Sequence, residues 1–257
     1  MSQNKIRLLT VGGGMMLAPA TLAGEIVVGH DVNTFSDSIS GLAEQQYAIN
    51  IANHLTSGGG DLLLIESADD PLRNFGQDTV SALQNAGFGV THDLASDGYA
   101  SELGNLSQYD AVFFSAEFGT NAIPDANLLH NFVNSGGGAY VAGGTGPDAL
   151  AEAMALNQFL MPYGVMFHEV EQYNRSSGFE VTSDDHPIFD GLMGEFIGAS
   201  NGSAIVSMNQ EDGNSEVYFD DRDGFAQVST LSTPVIPAPG AVAVLGLAAA
   251  AGTRRRR

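Results

Sequence analysis

The chain has 257 residues, with 30 Asp and Glu against nine Lys and Arg, a formal charge of −21 at pH 7 and no cysteine. Phosphate binding needs basic side chains, which are scarce here, so nucleic acid and anionic membrane surfaces are poor partners. The lack of cysteine excludes disulfides, thiolate metal sites and a cysteine nucleophile.

Lys5 and Arg7 open the chain, and an apolar and small-residue run follows over 8–23. A basic start, an apolar middle and small residues at Thr21, Ala23 and Gly24 predict a secretory signal peptide over 1–24, cleaved near Ala23 or Gly24. The alternative is a buried first strand and loop of a cytosolic domain. Gly12-Gly13-Gly14 is not a phosphate loop, because no strand precedes it and no Gly-Lys-Ser/Thr follows.

Beyond the leader, short apolar runs alternate with helical patterns. The runs predict strands over 25–29, 61–65, 89–92, 109–115 and 138–143. Helices are predicted over 41–55, 76–86, 125–134 and 147–160. The first carries Leu42, Tyr47, Ile49, Ala52 and Leu55 at helical spacing and is stopped by glycines at 58–60. Unbroken apolar strands separated by helices predict a mostly parallel sheet covered on both faces, a three-layer, doubly wound, Rossmann-like α/β domain. Loops over 93–104 and 195–202 are expected to be exposed. After Tyr163 the pattern shortens to strand-like pieces at 165–170, 179–182, 204–208, 217–219 and 225–228. These read as a β-rich, antiparallel extension of the same sheet, with 193–232 added to a body at 25–192.

Doubly wound sheets bind ligands at the carboxyl ends of their strands. The residues expected there are Ser115 and Glu117 after the fourth strand, then Gly144, Thr145 and Asp148 after the fifth, with His168 on the strand that follows. Pro147 and Asp148 suit the first turn of a helix. The turn before them reads either as an anion site on backbone amides or as a tight turn without a ligand.

Tyr109-Asp110-Ala111-Val112-Phe113-Phe114-Ser115, a helix closing on Phe132-Val133-Asn134-Ser135-Gly136-Gly137-Gly138, and the strand Ala139-Tyr140-Val141-Ala142-Gly143-Gly144 follow in that order. In that order they resemble the class I glutamine amidotransferase-like superfamily, especially its non-amidotransferase branches such as the ThuA-like domains. Asn157-Gln158-Phe159-Leu160 and His186-Pro187-Ile188-Phe189-Asp190-Gly191-Leu192 are similar to the same branch, and the resemblance spans 25–192. It implies flavodoxin-like layering and a catalytic cysteine in the turn where this chain has Thr145. Without cysteine, amide hydrolysis through a thiolate is ruled out. A threonine hydroxyl needs an adjacent base, and His168, with Glu169 and Glu171 close in sequence, is the residue placed to serve.

Other constellations carry less. His30-Asp31 and His92-Asp93 end two strands and could hold a metal, but an isolated His-Asp pair at a strand end reads first as a capped, solvated pair. No His-Glu-x-x-His occurs, and no catalytic residue and no cofactor is assigned. The acidic turns at 211–214 and 220–224 do not complete an EF-hand loop and offer only loose surface calcium binding. His186-Pro187 reads as a structural turn.

The tail places Pro237, Ala238, Pro239 and Gly240 before an apolar run over 241–251, and ends on Arg254, Arg255, Arg256 and Arg257. The apolar run suits hydrocarbon and the arginines suit the cytoplasmic face. The arrangement closely resembles the PEP-CTERM sorting signal read by an exosortase, with Ala238 where that family usually has Glu. It implies export, transient anchoring of 233–257 in the inner membrane, and delivery to the cell surface or extracellular matrix. A plain C-terminal anchor is the alternative. Between the two terminal segments lie all 30 acids but only Arg73, Arg175 and Arg222, three positive side chains against thirty negative. Such self-repulsion suits a saline, marine exterior, where ions screen it. The expected function is a non-catalytic, matrix-associated binding domain, with extracellular polysaccharide or another matrix component as partner. An extracellular hydrolase using the cleft of Glu117, Thr145 and His168 is the second expectation, and a purely structural matrix component the third.

Overall fold

A computed structural model describes residues 24–67, 75–95, 101–117, 123–145, 149–168, 178–198, 205–207, 215–220 and 226–232. The terminal segments expected to be signals, including Ala23, Pro237, Pro239, Gly240 and Arg254 to Arg257, lie outside the described residues, as does Asp148.

The apolar runs at 25–29, 61–65, 111–115 and 138–143 form strands buried on both faces, whereas the run at 89–95 forms a largely exposed edge strand. β1 (Glu25–Gly29), β2 (Asp61–Ser67), β3 (Gly89–Ala95), β4 (Ala111–Glu117) and β5 (Gly138–Thr145) line up in the order β3-β2-β4-β5-β1, all parallel. Alternate residues face opposite sides of such a sheet. On one side Val27, Leu62, Leu64, Phe113 and Tyr140 pack under α1 (Leu42–Thr56) and α2 (Gln77–Asn85). On the other, Ile26, Val28, Leu63, Ile65, Val112, Phe114 and Val141 pack under α3 (Ala126–Asn134) and α4 (Ala149–Leu160). Each fully buried Leu, Ile, Val or Phe contributes about 1.5–3 kcal/mol, which makes these two layers the main source of stability. The α/β architecture expected from the alternating pattern is the one observed.

Local chemistry sets the helix ends. The Glu44 carboxylate accepts the Gly41 N–H at 2.8 Å, tying back the first turn of α1, and Ser57 closes that helix in the left-handed region at φ 60°. Asp125 caps α3 by accepting from the N–H groups of Asn127 and Leu128.

The far side of β1 is taken by β11 (Ala226–Ser232), antiparallel, with Glu25 opposite Ser232 and Gly29 opposite Val228. β10 (Ser215–Asp220) pairs with β11, and β9 (Ile205–Ser207) bridges Ala226 of β11 to β6 (Val165–Phe167). Asn157 of α4 holds β6 directly, accepting the Phe167 N–H at 2.8 Å and donating to its carbonyl at 2.9 Å. β7 (Phe179–Glu180) and β8 (Phe196–Ile197) form a separate pair.

Two stretches expected to be exposed are partly buried. β3 continues to Ala95, which is buried with Asp93, because its residues pair with β2 as far as Ser67. Ser101–Gln108 then forms a 3-10 segment. In 195–202, Phe196 is exposed, but Ile197 is buried among the α1-side aromatics and Gly198 donates its N–H to the Glu44 carboxylate. No helix among the described residues is long and apolar enough to cross a membrane.

Candidate functional site

At the carboxyl ends of the strands, on the α1 side, bulky side chains give way to small ones. Ser115 of β4 stands beside Ala142 of β5, and Ala142 beside Gly29 of β1. Gly29 is required by close approach, because a methyl group there would come within 2.7 Å of the Tyr140 hydroxyl. Glu66 of β2 lies one step beyond Ile65, which pairs with Phe114, and so is at the level of Ser115. This row of Glu66, Ser115, Ala142 and Gly29 is the floor of the candidate site.

Its polar groups are buried. The Glu66 side chain is 0% exposed; its Oε2 accepts the Phe75 N–H at 2.8 Å and its Oε1 lies 3.0 Å from His92 Nε2. Ser115 is 1% exposed, and its hydroxyl has no hydrogen-bond partner. A buried hydroxyl left in this state costs about 1–3 kcal/mol. The Tyr47 hydroxyl, from α1, is also buried without a partner. Burial drives the Tyr47 phenol far above its ordinary value, and that of Tyr140 as well, with the neighbouring Tyr47 and Asp31 adding to the effect on Tyr140. Both phenols therefore remain neutral groups that can donate a hydrogen bond.

Aromatic rings enclose these hydroxyls. Tyr47 stacks on Phe189 at 5.8 Å and meets Phe179 edge-on at 6.2 Å; Phe35 and Phe113 each lie 5.3 Å from Tyr140.

His30 and Asp31, expected to be a solvated pair, are 3% and 1% exposed. The chain after β1 folds back through Asp31, whose Oδ1 accepts the Asn33 N–H at 2.9 Å and whose carbonyl accepts the Thr34 hydroxyl at 3.0 Å. Phe179 then packs on the His30 ring at 6.4 Å, and Gly198 approaches the Asp31 carboxylate. Local sequence shows the turn but not the later segment that covers it. The two His-Asp pairs form no metal-binding cluster among the described residues.

The expected site residues fare unevenly. Ser115 belongs to the floor. Glu117 and Thr145 are paired at the ends of β4 and β5 across a register shift, so that Gly144 is an extra residue on β5. A bulge of this kind re-aims the backbone at the rim of a sheet. The side chains of Glu117 and Thr145 lie outside the described residues. His168 is half-buried just after β6, which reaches the sheet through β9. Of the acidic turns, only Asp220 at the end of β10 is described. Glu66, Tyr47 and Tyr140 belong to no recognisable motif. An acid directly after Leu62-Leu63-Leu64-Ile65, and a tyrosine inside an apolar strand, were the available signals.

A second feature lies at the opposite, amino-terminal edge of the strands. A cavity of about 580 Å³ is lined there by Glu25, Tyr109 and Asp110, by residues 54–57 ending α1, and by Phe132 and residues 135–137 ending α3. No protein-family model matches the chain, and no curated protein matches it.

Proposed function

We propose that the chain is an exported protein, sorted to the cell surface or matrix, whose α/β domain binds a polyhydroxylated ligand without transforming it. The sequence features behind export are the basic-apolar leader, the Pro237-to-Arg257 tail and the cysteine-free acidic body. On this reading the body is an amidotransferase-like domain with 193–232 as its β-rich extension, and an exosortase handles the tail. Extracellular polysaccharide is the partner, and calcium binds at most loosely to its acidic turns.

The observation that carries the binding reading is the Ser115 hydroxyl. A serine nucleophile needs a base within hydrogen-bond reach, and the Ser115 hydroxyl has no hydrogen-bond partner among the described residues. Glu66, the acid at its level, is already committed to Phe75 and His92. What remains is a hydroxyl with unused hydrogen-bonding capacity at the carboxyl ends of the strands, which is chemistry suited to the hydroxyls of a ligand.

The second reading, an extracellular hydrolase at the same edge, draws on the Glu66–His92 contact, which brings an acid and a titratable ring within 3.0 Å. The exported protein should be screened against glycan, ester and amide panels. Saturable glycan binding without turnover, weakened in Ser115→Ala, supports binding. Turnover lost in Thr145→Ala or His168→Ala overturns it in favour of the hydrolase. Deletion of Arg254 to Arg257 tests sorting, since unchanged processing and location would reject that role for the tail.

A further inference from the structure

We propose that export cuts the chain between Ala23 and Gly24, and that the new α-ammonium group of Gly24 is seated at the amino-terminal edge of the sheet, beside the cavity lined by Glu25 and Asp110. The inference rests on the export reading and adds the bond that is cut and the place of the product.

Gly24 is already part of the folded domain. It is buried, and a methyl group on its Cα would collide with the carbonyl oxygens of Val133 and Gly137 and come within 2.8 Å of the Val133 side chain. Only glycine fits against this end of α3. Cutting after Gly24 would discard that contact, whereas cutting before it keeps the contact intact. The leader agrees. A cut before Gly24 places Ala23 and Thr21 at the two positions that favour small residues, whereas a cut after Gly24 would place Leu22 at one of them.

The surroundings suit a positive charge. Alternation along β1 sends Gly24 toward α3 and the Glu25 side chain toward α1, so the chain start straddles the end of the sheet. Glu25 and Asp110 supply carboxylates to the cavity. Both α1 and α3 end there, and a helix carboxyl end carries roughly half a negative charge. The other titratable groups facing the cavity are His54 from α1 and Tyr109 before β4; α3 brings none. Hydrolysis of the Ala23–Gly24 amide puts the water oxygen on the Ala23 carbonyl, which leaves as a carboxylate, and leaves Gly24 with a protonated amine.

Mass spectrometry of the exported protein should find Gly24 as its first residue. After isotopic methylation of its amine, NMR should show that group titrating above the ordinary α-amino range of about 7.7–8.0. Glu25→Gln and Asp110→Asn should each move it back toward that range; the asparagine oxygen can still accept the Asp61 N–H that Asp110 Oδ2 holds. Gly24→Ala should lower the melting temperature. A first residue of Glu25 or beyond overturns the cleavage assignment. A start at Gly24 with ordinary titration, unmoved by either variant, overturns the seat while leaving export intact. Retention of the leader inside the cell overturns export and the inference together.

Discussion

Glu66 Oε1 lies 3.0 Å from His92 Nε2, across the β2–β3 pairing, while the other oxygen of the same buried carboxylate holds the Phe75 N–H. One acid thus joins the end of β2, the neighbouring strand and the start of the segment leading into α2.

Glu66→Ala removes both acceptors and leaves the Phe75 N–H without this partner in a buried place. A loss of about 2–4 kcal/mol is expected. Glu66→Gln keeps one carbonyl acceptor and should lose about 1 kcal/mol. Urea unfolding of the two variants at neutral pH measures the difference; equal stabilities would mean that the carboxylate is not holding these elements together.

Gly29→Ala pushes a methyl group against the Tyr140 hydroxyl, and overpacking of this kind costs about 1–3 kcal/mol. Tyr140→Phe removes the obstructing oxygen. The double variant should therefore recover most of the loss, and a double-mutant cycle showing no coupling would contradict the contact.

Asn157→Ala strips two hydrogen bonds from the Phe167 backbone at once. Both backbone groups are buried, so a loss of about 2–4 kcal/mol is expected. Asn157→Asp should be nearly as damaging, since the Phe167 carbonyl then faces an oxygen instead of a donor. Thermal melts followed by circular dichroism provide the check.

Ser115→Ala and Tyr47→Phe should each leave stability unchanged or raise it by up to about 1 kcal/mol, because each removes a buried hydroxyl with no partner. Ligand binding should weaken in the same variants. A variant that loses stability and binding together would mark the hydroxyl as structural.

The tyrosines set the alkaline limit. Burial raises the phenols of Tyr47 and Tyr140, and that of Tyr163 is pushed up to about 12. A raised folded-state value means that the folded chain holds protons the unfolded chain has released. Stability is therefore complete below the ordinary value of about 10 and falls as pH rises through and beyond it. Tyrosinate absorbance should appear for Tyr47 and Tyr140 only on unfolding. Tyr163→Phe, which also removes a 3.0 Å hydrogen bond to His130, should make the decline between pH 10 and 12 shallower.

Strands such as Leu62-Leu63-Leu64-Ile65 and Ala139-Tyr140-Val141-Ala142 were legible because burial on both faces leaves an unbroken apolar run. The helices were legible from their spacing and stops; α1 ends at Ser57, beside the glycines. Pairing between distant segments was not. That Ser232 stands opposite Glu25, or that Phe179 covers His30, depends on contacts for which neither local stretch carries a signature. For the same reason His30-Asp31 reads as solvated until the later segment is laid over it. Ser115 was legible as a strand-end residue, but its isolation from any base is a property of packing alone.

The pairing of β1 with β11 also governs when the molecule can exist as such. β1 lies between β5 and β11, so one entire flank of the first strand is supplied by a strand about 200 residues further along the chain. Contacts so far apart in the chain form late, because the intervening loop must close first. Until Ala226–Ser232 has been synthesised, β1 has an open edge and the sheet is unfinished. The topology acts as a timer, holding the sheet open at β1 until its late partner strand has arrived.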